Sequence, residues 1–346
     1  MFLKNSNNKL LISAAVLGSL ITSTGCKMIY DDDLPECEAK LRVRFVYEYH
    51  LKNSDAFAKE VKSVNVWAFD KAGALAWSGS ASGDVLTEED FALATSLPAG
   101  TYDFVSWCGL KDNGDFDLAT YTPASKEELE VKLKTLEKDR ENISSSFIPG
   151  LFHGLALEET FTIEPNTNTL KTVTIPLMKD TNNIRVLLQR MGTTPLEKTD
   201  FDASLTITDS WLAWDNAVMP QSPTVTYVPW DIRPVSATIE TQPSAPEITS
   251  LSGQLFDFTS SRLIAGSNAV LTIHRNSDNT DIIRIPIIDY FVAVKGHYGD
   301  MSDQEYLDRQ DDYSILLFVD DNNELYAAGG IYINKWAVVP PQSNPF

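Results

Sequence analysis

The chain has 346 residues, 43 % of them hydrophobic and 22 % charged, a globular balance that excludes a disordered tail protein and a polytopic membrane protein. Asp and Glu outnumber Lys and Arg by 48 to 28, for a formal charge of −20. Nucleic-acid phosphates and anionic headgroups are repelled, so no nucleic-acid partner is expected and membrane attachment requires a covalent or hydrophobic device. Three cysteines and four histidines are too few for a disulfide-dense scaffold or a His-rich metal site.

The N-terminus reads as an export segment. Lys4 and Lys9 form a positive head, and residues 10–21 are an apolar run too short to span a bilayer as a helix but of signal-peptide length. Ser23, Thr24 and Gly25 then lead into Cys26, an arrangement that resembles the bacterial lipobox although Ser23 stands where Leu is usual. Cys26 is therefore the expected lipidation site, with residues 1–25 removed; the alternative is an ordinary secretory peptide with a chance cysteine. Two or three acyl chains, at about 0.8 kcal/mol per buried CH₂, anchor far more firmly than one. Asp31, Asp32 and Asp33 follow closely. This acidic run resembles a lipoprotein surface-export signal and reads otherwise as a solvated tether over 26–40.

The remainder is patterned for strands. Leu41, Val43, Phe45, Tyr47 and Tyr49 alternate with more polar residues, the period of a half-buried strand. Val64–Phe69 is the next strand, and Asp70–Gly73 turns it into Leu75–Trp77. Pro98, Ala99 and Gly100 turn the chain into Thr101–Trp107. Thr87–Ala94 begins like a capped helix; 128–134 reads as a strand, and so does Leu170–Leu177. Lys179–Asn183 is expected to be a polar turn between two domains, 41–178 and 179–346. Beyond it, Ile184–Leu188, Ala203–Ile207, Arg262–Ala265, Val270–His274, Ile282–Ile287, Tyr313–Val319 and Ile331–Val338 read as strands, and proline-rich 220–250 as a long irregular connection. The fold class is all-β, of sandwich type, with few short helices.

Motifs for chemistry are sparse. His50, His153, His274 and His297 are dispersed, and no C-x-x-C, Walker A, G-x-G-x-x-G or G-x-S-x-G occurs. No cofactor or metal is expected. The stretches 112–117 and 320–324 lack the spacing of a calcium loop and read as turns. Trp67, Trp107 and Trp336 sit in strand patterns and are expected in the core. Trp211 and Trp214 are the better surface candidates for a glycan platform. Cys37 and Cys108, left once Cys26 carries lipid, form either a disulfide or two independent buried thiols.

Several pieces in order carry a resemblance. They are Ile29-Tyr30-Asp31-Asp32, Leu34-Pro35-x-Cys37, Leu41-x-Val43-x-Phe45, and Leu97-Pro98-Ala99-Gly100-x-Tyr102 running into Trp107-Cys108-Gly109. Leu151-Phe152-His153-Gly154, Lys179-x-Thr181-Asn182-Asn183-Ile184, Glu305–Arg309 and Ile331-Tyr332-Ile333-Asn334-x-Trp336 complete the series. Together they resemble the FimB-type fimbrial anchor family of Bacteroidota, lipid-bearing subunits that end type V pili. The resemblance implies two tandem transthyretin-like β-sandwich domains, no enzyme activity, a surface-exposed outer-membrane lipoprotein of the fimbrium, and fimbrial stalk subunits as partners. It implies further that Leu41–Tyr49 stays in its own groove. The segment from residue 331 to 346, with Ile331, Tyr332, Ile333, Trp336 and Val338, becomes the expected strand lent to a stalk subunit. A surface glycan-binding or adhesin lipoprotein of similar build is the alternative, distinguished by an exposed aromatic platform flanked by polar groups.

Overall fold

The computed structural model describes residues 40–338 apart from 53, 112–113, 163–169, 193 and 239–249. Cys26, Cys37, the export segment and residues 339–346 lie outside the described residues. The first half carries β1 (Lys40–Val46), β2 (Ser63–Phe69), β3 (Leu75–Ser82), β4 (Leu93–Thr95), β5 (Gly100–Cys108), β6 (Phe116–Leu118), β7 (Val131–Leu133), β8 (Leu136–Lys138), β9 (Glu141–Ser144), β10 (Phe152–Phe161) and β11 (Leu170–Lys179). The second carries β12 (Thr181–Arg190), β13 (Phe201–Ile207), β14 (Trp211–Leu212), β15 (Val225–Tyr227), β16 (Asp231–Thr238), β17 (Ser250–Ser261), β18 (Val270–Arg275), β19 (Thr280–Pro286), β20 (Asp312–Val319), β21 (Ile331–Ile333) and β22 (Trp336–Val338). Helix is confined to α1 (Phe57–Glu60), α2 (Ile287–Ala293), α3 (Asp303–Arg309) and short 3₁₀ turns among the described residues. The chain is all-β, as the alternation of its sequence indicates.

Strand order explains the hydrophobic pattern. The first large sheet runs β3-β2-β5-β10-β11-β1-β4; two six-stranded sheets run β16-β17-β12-β20-β21-β22 and β19-β18-β13-β15-β9-β8; a small sheet runs β14-β7-β6. In β2 nearly every side chain is buried, and in β5 every one from Phe104 to Cys108. Val64, Val66, Ala68 and Phe104 face one core, while Trp67, Phe69, Val105 and Trp107 face another that continues through the second half. A strand covered on both faces reads as a continuous apolar run rather than a strict alternation. Gly109 ends β5 at φ +88°, and a Cβ there would fall 2.1 Å from the Gly150 carbonyl oxygen. No larger residue fits where the chain leaves the first core.

The expected division at 178/179 is crossed by strand pairing. β9 runs parallel to β15, with Ile143 opposite Thr226, and β7 pairs antiparallel with β14, with Val131 opposite Leu212. Residues 116–144 thus complete sheets of the second half. Lys179–Asn183 is not a turn either: β11 ends at Lys179 and β12 begins at Thr181. Asp180 is the single link, fully buried.

Other elements differ from expectation for identifiable reasons. Thr87–Ala94 is not a helix; a 3₁₀ turn covers Asp84–Thr87, and Leu93 enters β4 opposite Val43. The 220–250 stretch contains β15 and β16, and Pro234 is accommodated because β16 is an edge strand. The expected strand at Arg262–Ala265 instead lies upstream, as β17. Its buried polar residues hide the alternation: Gln254 donates to the carbonyls of Lys198 and Phe201, each at 2.9 Å. Ile331–Val338 is a hairpin rather than one strand, turned at Asn334 and Lys335 with φ of 48° and 74°, the left-handed pair of a two-residue hairpin turn.

Buried charge surrounds the link. Lys179 Nζ reaches Asp311 at 2.9 Å and Glu60 of α1 at 3.2 Å. Burial disfavours its charge, but those two carboxylates outweigh it and raise its proton affinity. Asp180 Oδ1 accepts from Asn216 Nδ2 at 2.7 Å, the Asn216 carbonyl accepts from Arg262, and Arg262 is bidentate to Asp308 at 2.9 Å. Burial pushes the Asp180 carboxyl up to about 7, against the opposing pull of Arg262 and Asn216. Burial likewise raises Asp209, which lies in the same field of Arg262.

This link sets a pH dependence. Folded Asp180 keeps its proton up to about pH 7, whereas in the unfolded chain it ionises near 3.9. Between those values the unfolded state binds fewer protons at this site, so the contribution of Asp180 to stability is full below about pH 4 and is lost as pH rises to about 7. The expected loss at this one group is on the order of 4 kcal/mol. Asp180→Asn keeps the acceptor for Asn216 and should flatten the slope between pH 4.5 and 7.5, as read by urea denaturation at both values.

Candidate functional site

The first candidate surface is the one β1 already fills. Leu41, Val43, Phe45 and Tyr47 are buried while Arg44 and Glu48 are exposed, as the period-two pattern requires. β1 runs parallel to β11 through paired residues from Lys40–Leu170 to Val46–Pro176, and β4 covers its other side from Leu41 to Val43. Phe45, Phe57 and Phe91 stack at centroid distances of 5.9 to 6.4 Å. Arg42 Nε donates to Thr172 Oγ1 at 2.8 Å. The strand ends at Val46, short of the expected Tyr49, because Asp55 accepts from the N–H groups of both Tyr47 and Phe57 at 2.9 Å and starts α1. Exposing Leu41, Val43 and Phe45 together would cost roughly 5–9 kcal/mol of apolar burial.

The second is the C-terminal hairpin. β21 pairs with β20 through Ile315–Ile333 and Leu316–Tyr332, and β22 pairs with β21 and forms the outer edge of its sheet. Ile331, Ile333 and Val338 are buried. Tyr332 packs edge-on against Phe318, 6.1 Å between centroids. Trp336, expected in the core, is 60 % exposed. The two-residue turn makes Ile333–Trp336 the closing hydrogen-bonded pair, so Ala337 turns its N–H and C=O away from β21, toward the open edge. An apolar cleft of about 290 Å³ lined by Val294, Tyr298, Trp336 and Ala337 adjoins that edge. The five residues read as a partner strand are thus folded into the second half rather than detached from it.

The remaining sequence candidates are dispersed. Cys108 is fully buried with Sγ 3.2 Å from Ser106 Oγ, and burial pushes its thiol up to about 12. Cys37 and Cys26 lie outside the described residues. Trp67 and Trp107 are core residues, their indole N–H groups donating to the carbonyls of Tyr121 and Leu129 at 3.0 and 3.2 Å. Trp211 and Trp214, expected on the surface, are half-buried beneath Lys132 and Lys126. The Trp214 carbonyl accepts from His153 Nε2 at 2.8 Å, and burial holds His153 neutral, its pKa lowered to about 4. An exposed aromatic pair is formed instead by Phe147 and Trp230, 5.4 Å apart. Sequence reasoning missed it because Phe147 and Trp230 are far apart in the chain and neither lies in an alternating run.

Comparison with known proteins accords with this architecture. The family model for fimbrillin-A associated anchor proteins Mfa1 and Mfa2 matches residues 34–339. The chain belongs to the fimbrillin-A associated anchor protein family. Among solved structures, a candidate adhesin from Bacteroides thetaiotaomicron is 28 % identical with a TM-score of 0.74, over 88 % of this chain and 99 % of that one. A candidate polysaccharide-binding protein of the same species has a TM-score of 0.71 at 24 % identity, over 89 % of this chain and 100 % of that one. The fimbrial anchor protein Mfa2 from Porphyromonas gingivalis has 0.61 at 16 % identity, over 86 % and 98 %. These last two likenesses establish the fold. No protein of curated function matches the sequence.

The seating of β1 has a measurable consequence. Phe45→Ala should cost about 3–5 kcal/mol in chemical denaturation. The intact protein should resist an arginine-specific protease at Arg42 and Arg44, and Phe45→Ala should be cut there, as read by N-terminal mapping of the fragments.

Proposed function

We propose that this chain is a non-enzymatic, surface-exposed outer-membrane lipoprotein that anchors and terminates a fimbria through strand-mediated contact with a stalk subunit. The observation that carries the reading is β1, held between β11 and β4 with its apolar side chains buried. A subunit whose own first strand fills its groove has no vacancy for a neighbour's strand. It can only present an edge, and assembly stops there. Family membership and the fold shared with the Porphyromonas gingivalis anchor support the same role.

Contact with the stalk is assigned to the outer edge of β22. The hairpin stays folded, since withdrawing it would expose Ile331, Ile333 and Val338. A stalk strand adds beside it, pairing with the outward N–H and C=O of Ala337 while an apolar side chain enters the cleft beside Trp336. Attachment to the membrane is assigned to lipid on Cys26.

Two outcomes are expected. Cys26→Ala should move the protein, and fimbriae with it, from the membrane fraction into the medium, with an unacylated terminus by intact-mass analysis. Ala337→Pro removes an edge N–H without touching the pairs that close the hairpin. It should leave membrane attachment and melting temperature near those of the parent while fimbriae are shed, as read by fractionation and electron microscopy. Normal fimbrial retention by both variants would refute the anchor role.

A further inference from the structure

The outer face of the second-half sheet carries a cleft apart from the β22 edge. Registers across four strands place Asp231 opposite Asp257, Asp257 opposite Arg185, and Arg185 opposite Ser314. Asn334 extends this row, its Oδ1 accepting from the Ser314 N–H at 2.8 Å. Trp230, just ahead of β16 and 40 % exposed, walls one end and is braced by Phe147. The cleft measures about 440 Å³, within the roughly 300–1,000 Å³ of small-molecule sites.

The floor is organised by its own pairs. Arg185 Nε donates to Asp257 Oδ1 at 2.7 Å, and Asn183 Nδ2 donates to Asp312 Oδ1 at 2.8 Å. Asp257 is also met by Arg233 at 3.0 Å and Asp312 by Lys52 at 3.7 Å. Each floor carboxylate therefore has a cation beside it, Arg233 shared with Asp231 and Lys52 with Glu60 and Asp311, so no carboxylate stands alone for a cation and the residual negative field disfavours an anion. The Arg185 and Asp312 side chains are each 57 % exposed, leaving donors and acceptors open to solvent while one contact to Asp257 or Asn183 directs each group.

We propose that this cleft binds a neutral saccharide. A pyranose ring has an apolar C–H face and a rim of hydroxyls that both donate and accept. The indole of Trp230 offers a flat surface for the first, and the paired Arg, Asp and Asn groups offer fixed partners for the second. Charge argues in the same direction: a chain of net charge −20 repels acidic glycans, while the matched floor gives a cation no unpaired carboxylate. Asp257 is nearly fully buried, so its orientation is set before a ligand arrives. The protein would thus hold a surface glycan at one face of its second half while the edge of β22 engages the fimbria.

The test uses the detergent-solubilised full chain and a panel of neutral hexasaccharides of glucose, mannose, xylose and galactose, with a sulfated hexasaccharide as anionic control. Binding is read by calorimetry and by quenching of tryptophan fluorescence. At least one neutral hexasaccharide should bind, with affinity reduced ~10-fold or more by Trp230→Ala and by Arg185→Ala. Trp336→Ala, on the other surface, should bind as the parent does. Circular dichroism of each variant, and retained binding by Trp230→Phe, separate loss of contact from loss of fold. Absence of binding to every neutral sugar, binding of the sulfated sugar alone, or unchanged affinity in both Trp230→Ala and Arg185→Ala would overturn the proposal. None of these results bears on fimbrial retention, which the Cys26 and Ala337 variants address.

Discussion

The structure depends on a chain that passes from one sheet to the next through a single buried residue. β11 and β12 are separated only by Asp180, so the registers of two large sheets are fixed relative to each other. No flexible loop intervenes to absorb a change in their relation. Burying a carboxyl at this point is costly unless it is neutral or paired. The surroundings supply the pairing, with Asn216 on Asp180 and a bidentate Arg262–Asp308 pair beside it. Lys179, one residue earlier, ties α1 to the start of β20 through Glu60 and Asp311. Polar contacts of this kind specify geometry more than they add stability.

Strand exchange between the halves reinforces the same constraint. Residues 116–144 leave the first half after Gly109, supply β8 and β9 to a sheet that otherwise belongs to the second, and join β6 and β7 to β14 of the second. The larger core therefore runs without interruption from Trp67 and Trp107 to Ile331 and Val338. A pull on the edge of β22 would be transmitted through packed side chains and paired strands as far as Trp67 and Trp107.

The two surfaces singled out differ in physical character. Among the described residues, the edge of β22 turns the N–H and C=O of Ala337 outward beside an apolar cleft, the kind of surface to which another strand can add through main-chain hydrogen bonds. The cleft at Trp230 offers oriented side chains whose charges are matched internally, a surface suited to an uncharged polyhydroxyl ligand. They share one sheet, β22 closing its edge and Arg185, Asp257 and Ser314 lying on its outer face.

Local pattern in the sequence determined much of this. The strict alternation of Leu41, Val43, Phe45 and Tyr47 specified β1 and its buried face, and Asp70–Gly73 specified the β2–β3 hairpin, because period and turn chemistry are properties of neighbouring residues. Strands that carry buried polar residues were hidden, as in β17, where the buried Gln254 donates its amide N–H groups to the carbonyls of Lys198 and Phe201, distant in the chain. Lys179–Asn183 looked like a turn because it is polar, yet its polar groups find partners inside. Trp336 looked like a core residue because it follows an apolar run, yet the turn at Asn334 and Lys335 carries it onto the edge strand β22, beyond the packed core. Neither the Phe147–Trp230 pair nor the row from Asp231 to Asn334 could be read from the sequence. Each joins residues from different strands, and only strand order and register, set by tertiary burial, bring them together.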